Sequence, residues 1–127
     1  MVLETTLPVA SADKISGVAG TNLSGHRVVI KDNDGKIYYA DKDTPTHLWK
    51  VLGITFASAL LGNTVNIEAF GRVVETSWAW VMGVPIFCGN NGILTQSPPS
   101  SGFSLILGTP MSATEMFVNI KQAIMLV

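Results

Sequence analysis

Val28-Val29-Ile30-Lys31-Asp32-Asn33-Asp34-Gly35-Lys36-Ile37-Tyr38-Tyr39-Ala40 is the stretch that decides the fold class. Two runs of β-branched and aromatic residues flank an Asx-rich turn closed by glycine, the pattern of antiparallel strands joined by a tight turn. It predicts a hairpin. Pro85-Ile86-Phe87-Cys88, Gly89-Asn90-Asn91-Gly92 and Ile93-Leu94-Thr95 repeat the arrangement and predict a second hairpin over 84–95.

Outward from the two hairpins, the order of features repeats as well. Asn33 and Gly35 match Asn90 and Gly92, Leu52-Gly53 matches Leu107-Gly108, and Val65-Asn66-Ile67 matches Val118-Asn119-Ile120, at offsets of 57, 55 and 53 residues. The repeat bears on the C-terminal end, where Ser112-Ala113-Thr114-Glu115 also reads as a capping box opening a helix. The matching segment, Asn63 to Phe70, alternates apolar and polar residues, so Met116 to Ile120 is expected to be a strand, with a helix over Met116 to Met125 the alternative. Eight or so short strands result. The expected fold is all-β, a small β-barrel or β-sandwich built from two diverged β repeats, about 24–72 and 81–124. Gly35, Gly53, Gly92 and Gly108 read as its structural turns. Val73 to Met82 joins the repeats, and its alternation puts Trp78, Trp80 and Met82 on one face.

Residues 1–22 show neither periodicity over a useful length, and an extended N-terminal arm and a frayed terminus both fit them. A single all-β domain is then expected over 23–127. A chain of 127 residues is long enough to bury a genuine core. Its formal net charge of -1 leaves no basic field for phosphates, so nucleic acid is not an expected partner. Only 13% of the residues are charged, about half the usual share. From Thr76 to Val127 there are two charged side chains, Glu115 and Lys121, against fifteen in the first 75 residues. A chain that solvated its whole surface would not distribute charge in this way, so much of the second half is expected to face other protein.

The apolar run near Val51 to Leu61 is too short and too interrupted to span a bilayer, so no membrane is expected. Met1 to Lys14, with Glu4 and Pro8, lacks the basic end and apolar run of a secretory signal. Cys88 is the only cysteine, which excludes an internal disulfide, fits a reducing cytoplasm and reads best as a small buried hydrophobe.

Candidate chemistry is sparse. His26 and His47 stand in no nucleophile motif, and with one cysteine they form no metal-ligand spacing. Asp32, Asp34, Asp41 and Asp43 suggest calcium, but the glycine comes too early and no bidentate glutamate closes a twelve-residue loop, so turn chemistry explains them better. Glu68 and Glu75 are the only conceivable carboxylate pair for glycoside hydrolysis, and surface solvation is the simpler reading. Gln96-Ser97-Pro98-Pro99-Ser100-Ser101-Gly102 reads as a proline-stiffened connector. Trp78 and Trp80 could serve as a sugar platform, but core packing or a subunit interface is the favoured role, with Trp49 a weaker candidate. No enzyme, cofactor or metal is expected.

Gly35-Lys36-Ile37-Tyr38-Tyr39-Ala40-Asp41, Trp78-Ala79-Trp80, Gly92-Ile93-Leu94-Thr95-Gln96-Ser97-Pro98-Pro99, Gly102-Phe103, Leu107-Gly108 and Ser112-Ala113-Thr114 occur in an order that resembles small virion proteins of tailed bacteriophages. These are capsid decoration (cement) proteins and tail-fibre-like modules. The resemblance runs from about Leu23 to the end, and Leu-Thr-Gln-x-Pro-Pro is its most distinctive part. It implies a β-barrel-like subunit that forms a homo-oligomer, commonly a trimer, and attaches to the major capsid protein of a virion assembled in the host cytoplasm. Leu3, Leu7 and Val9 of the arm, with Trp78, Trp80 and Met82, are the expected interface residues. A receptor- or carbohydrate-binding module at a tail tip, meeting a host-surface glycan, is the competing implication.

Overall fold

The computed structural model describes residues 14–121 and 124–126. Among the described residues twelve strands form two five-stranded sheets and a two-stranded one. In chain order they are β1 (Lys14–Val18), β2 (Val28–Lys31), β3 (Ile37–Tyr39), β4 (Val51–Thr55), β5 (Thr64–Glu68), β6 (Phe70–Val74), β7 (Ile86–Cys88), β8 (Leu94–Thr95), β9 (Phe103–Ser104), β10 (Ile106–Ser112), β11 (Glu115–Asn119) and β12 (Ile124–Met125). The first sheet is ordered β1-β5-β4-β2-β3 and the second β6-β11-β10-β7-β8, while β12 pairs with β9. Numbered within itself, each large sheet therefore runs first, fifth, fourth, second, third.

The likeness extends to register. Ile30 faces Tyr38 in the first hairpin as Phe87 faces Thr95 in the second. Val29 faces Gly53 and Ile30 faces Val51; Ile86 faces Gly108 and Phe87 faces Ile106. Both ladders thus carry a bulge at the same step, and the extra residue is the leucine of the Leu-Gly pair, Leu52 or Leu107. Such a bulge sharpens the local twist and lets a sheet curl. At the glycine the neighbouring strand comes very close: a Cβ on Gly53 would lie 2.2 Å from the Glu68 carbonyl oxygen, and one on Gly108 would lie 2.0 Å from that of Phe117.

Alternation sorts the side chains into two cores. Val28, Ile30 and Ile54 of the first sheet meet Val73, Ile86, Cys88, Leu107, Met116 and Val118 of the second in the larger core, with Phe103 and Leu105 between them. Val29, Ile37, Val65 and Ile67 turn the other way into a smaller core closed by Ala19, Leu23 and Ala59. The first sheet is therefore buried on both faces, which is why Val28-Val29-Ile30 is a continuous apolar run rather than an alternating one. Its two edges meet where Ala19 bridges Ile37 in parallel and Gly20 N–H donates to the Ile37 carbonyl at 2.8 Å.

Several expectations change. Residues 14–22 are not an arm: β1 pairs with β5 over five residues and Ala19 is wholly buried. Leu3, Leu7 and Val9 lie outside the described residues. Gly35 and Gly92 are turn glycines, at φ 82° and 73°, but Gly53 and Gly108 are not turns; they stand inside β4 and β10, where close strand approach excludes a side chain. The strand expected to run to Met82 ends at Val74, and residues 75–85 form turns and irregular loop.

Met116 to Ile120 is strand rather than helix, with β11 over Glu115–Asn119. Its match to β5 slips by four residues, however: Ile54 faces Glu68 and Thr109 faces Phe117, so Phe117 stands where Glu68 does. Ala113-Thr114 turns β10 directly into β11, whereas Phe56 to Asn63 is a long loop before β5. Loop length, invisible to a match of short motifs, sets that register.

Candidate functional site

The register likeness assigns each face of the second sheet a counterpart in the first. Val28, Ile30 and Ile54 of the first sheet are buried against the second. The corresponding outward positions of the second sheet include Phe87 and Thr109, and Phe117 corresponds to Glu68. Phe87 is nevertheless buried, while Thr109 is exposed, so this side of the second sheet is covered at β7 and open towards β6 and the end of β10.

The outward side chains of β6 and β11 mix apolar and polar groups. In β6, Phe70, Arg72 and Val74 point outward while Val73 enters the core; in β11, Glu115, Phe117 and Asn119 point outward while Met116 and Val118 enter it. Phe70 is 45% exposed, Val74 46% and, near the end of β10, Met111 47%. Phe70 and Phe117 stack edge to face with centroids 5.0 Å apart, a rigid aromatic surface of the kind enriched at protein contacts. Arg72 and Glu115 form a two-pronged pair at 2.9 and 3.2 Å. That hydrogen bonding holds the Glu115 carboxyl below its usual range and the Arg72 guanidinium above its own, so the two charges neutralise each other across the strands.

Trp78 and Trp80 come together on the loop after β6 and pack on the larger core. The loop is fixed by Trp78 N–H to the Glu75 carbonyl (3.0 Å) and Trp80 N–H to the Ala113 carbonyl (2.8 Å). Gln96 adds a strand-like clamp, its Nε2 donating to the carbonyls of Val81 and Val84 (both 2.8 Å) and its Oε1 accepting from Val81 N–H (2.9 Å). The two indole rings are 5.1 Å apart and tilted by 49°, and His26 stands edge-on to Trp78 at 5.3 Å. A tilted, core-packed pair does not offer a flat platform to a sugar ring. Met82 does not share their face: it is 57% exposed, beside exposed Val81.

The other candidate groups are occupied by the fold. Asp32 receives Lys50 Nζ at 2.9 Å and Asp34 receives the Tyr38 hydroxyl. Asn90 Nδ2 bridges Asp41 (2.7 Å) and Asp43 (2.9 Å), tying the second hairpin turn to the loop after the first. Together with Ser101 and Lys42, Asn90 pulls the Asp43 carboxyl down to about 2. His47 Nδ1 accepts from Asp41 N–H at 3.0 Å, and burial lowers its pKa. Glu68 is buried with Lys14 at 2.8 Å on one oxygen, and Glu75 is held by Ser77 with His26 at 3.6 Å, so the two carboxylates serve different contacts. Cys88 is buried and its thiol pKa is pushed up to about 12 by desolvation. Among the described residues no three ligating side chains converge on a metal position, and no pocket opens.

Sequence reasoning placed Trp78, Trp80 and Met82 on a strand that ends at Val74, and it did not single out Phe70, Val74 and Phe117. The alternation Phe70-Gly71-Arg72-Val73-Val74 was the available signal. Neither a protein-family model nor a curated protein matches the sequence.

Proposed function

We propose that this chain is a structural, non-enzymatic virion protein that self-associates and decorates or cements a bacteriophage capsid. The observation that carries the reading is the group of exposed apolar side chains Phe70, Val74 and Met111 on one side of the second sheet, where the charges of Arg72 and Glu115 neutralise each other. A face of that composition is suited to lie against protein. The phage setting comes from the sequence resemblance alone.

In this reading the two large sheets are diverged copies of one five-stranded β unit, the first curled towards a barrel by its bulge and by the Ala19 bridge. The first copy packs on one side of the second, and the second offers its other side to the particle or to other copies. β1 begins at Lys14, which is anchored to Glu68. If Leu3, Leu7 and Val9 were buried on a neighbouring subunit, each would contribute roughly 1.5–3 kcal/mol.

Gold labelling on intact particles tests the location. Label over the whole head is the expected result. Label confined to the tail tip would replace decoration with the receptor-binding role, and no label on particles would end the virion reading.

A further inference from the structure

β6 is an edge strand whose bonding groups can be assigned residue by residue. Glu75 N–H donates to the Thr114 carbonyl at 2.9 Å, continuing the β6–β11 ladder. Alternate residues of an antiparallel pair turn their N–H and C=O to the same side. Gly71, Val73 and Glu75 therefore bond to β11, and Phe70, Arg72 and Val74 present their groups to the open side, where no described strand pairs with them. Folded chains normally blunt such an edge with lysine, proline, a bulge or a covering loop. The counterpart strand β1 carries Lys14, and its continuation is closed onto β3 at Ala19 and Gly20. Among the described residues β6 has no such protection: its register with β11 is unbroken, and its single charge is neutralised by Glu115.

We propose that β6 pairs antiparallel with β6 of a second copy of this chain, joining two second sheets edge to edge. The strand fits itself. With the two-fold axis beside Val73, Arg72 of each copy stands opposite Val74 of the other, and both positions lie on the bonding side. No like charges then face each other, whereas an axis at Arg72 would oppose two arginines, which costs stability. The two outer faces, each with its Phe70 and Phe117, are then brought side by side. Such a contact is isologous and gives a dimer; the trimer implied by the resemblance would need another surface. The inference deepens the assembly reading by naming the partner, and the two can fail separately, since a chain absent from particles could still dimerise through β6.

Sedimentation equilibrium over a wide dilution series reads the contact directly, with the mass expected to rise from 13.5 kDa to twice that value. Val74→Lys sets a lysine against the second copy's arginine, and Val74→Pro removes an N–H that the monomer does not use. Both variants are expected to stay monomeric at every concentration with the near-ultraviolet circular dichroism of the parent. Should either fold poorly, amide exchange of the parent decides: the Phe70, Arg72 and Val74 amides must slow as the dimer forms. A parent that stays monomeric throughout, a dimer that survives Val74→Lys with native dichroism, or edge amides exchanging alike in monomer and dimer would overturn the proposal.

Discussion

Replacing Gly53 or Gly108 by alanine strikes the feature the two sheets share most closely. The added Cβ would sit 2.2 Å from the Glu68 carbonyl oxygen in one case and 2.0 Å from that of Phe117 in the other, against an ordinary contact of at least 3.4 Å. The paired strands must separate by more than an ångström, which overstretches a ladder hydrogen bond. Overpacking of this kind costs about 1–3 kcal/mol and a lost hydrogen bond about 1 kcal/mol, so each variant should lose roughly 3 kcal/mol. For a chain of this length that lowers Tm by about 10 °C. Gly35→Ala is the control: its φ of 82° disfavours a side chain, but nothing lies within 4 Å, so it should cost only about 1 kcal/mol. Calorimetry or denaturant melts on the three variants measure this. If Gly53→Ala and Gly108→Ala melt no lower than Gly35→Ala, the close strand approach at both bulges is wrong, and the shared geometry fails with it.

Lys14→Met leaves the buried Glu68 carboxylate with no partner on either oxygen, since Oε2 already has none. The expected loss is about 2 kcal/mol, below that of a fully buried pair because the Lys14 side chain is half in solvent, and adding Glu68→Gln should recover part of it in urea melts. The Asp43 carboxyl is depressed to about 2 from 3.8, so the stability it contributes is complete above pH 4 and is lost as pH falls towards 2; its carbon-13 titration should show that midpoint, and one near 4 would refute the Asn90 network. Cys88 should resist a thiol reagent at pH 8 until the chain unfolds, and rapid native labelling would contradict its burial. Trp78→Ala should lower stability by about 2–3 kcal/mol, less than a fully buried tryptophan would, because the ring is only partly covered.

The parts of the fold legible in the sequence were those written into consecutive residues. Val28 to Ala40 and Ile86 to Thr95 carry both strands and the turn of their hairpins, and each formed as expected. Leu52-Gly53 and Leu107-Gly108 were visible as matched pairs, but their meaning was not. A bulge and a strand lying against a glycine are properties of pairing, which a single stretch does not display. β1 was missed because Lys14-Ile15-Ser16-Gly17-Val18 has two small residues where a strand usually carries bulk. Gly17 is small because a Cβ there would meet Ile37 at 2.7 Å. The charge-poor stretch begins at Thr76 and so leaves out β6, whose Phe70 and Val74 are exposed; which faces stay open depends on how the sheets pack, which a charge pattern along the chain does not display.

The central claim is that this chain is built into a particle in many copies. Quantitative mass spectrometry of purified virions, counting this protein against the major shell protein, tests it most directly. The account predicts a copy number comparable to that of the shell subunit; a handful of copies per particle, or none, would contradict it.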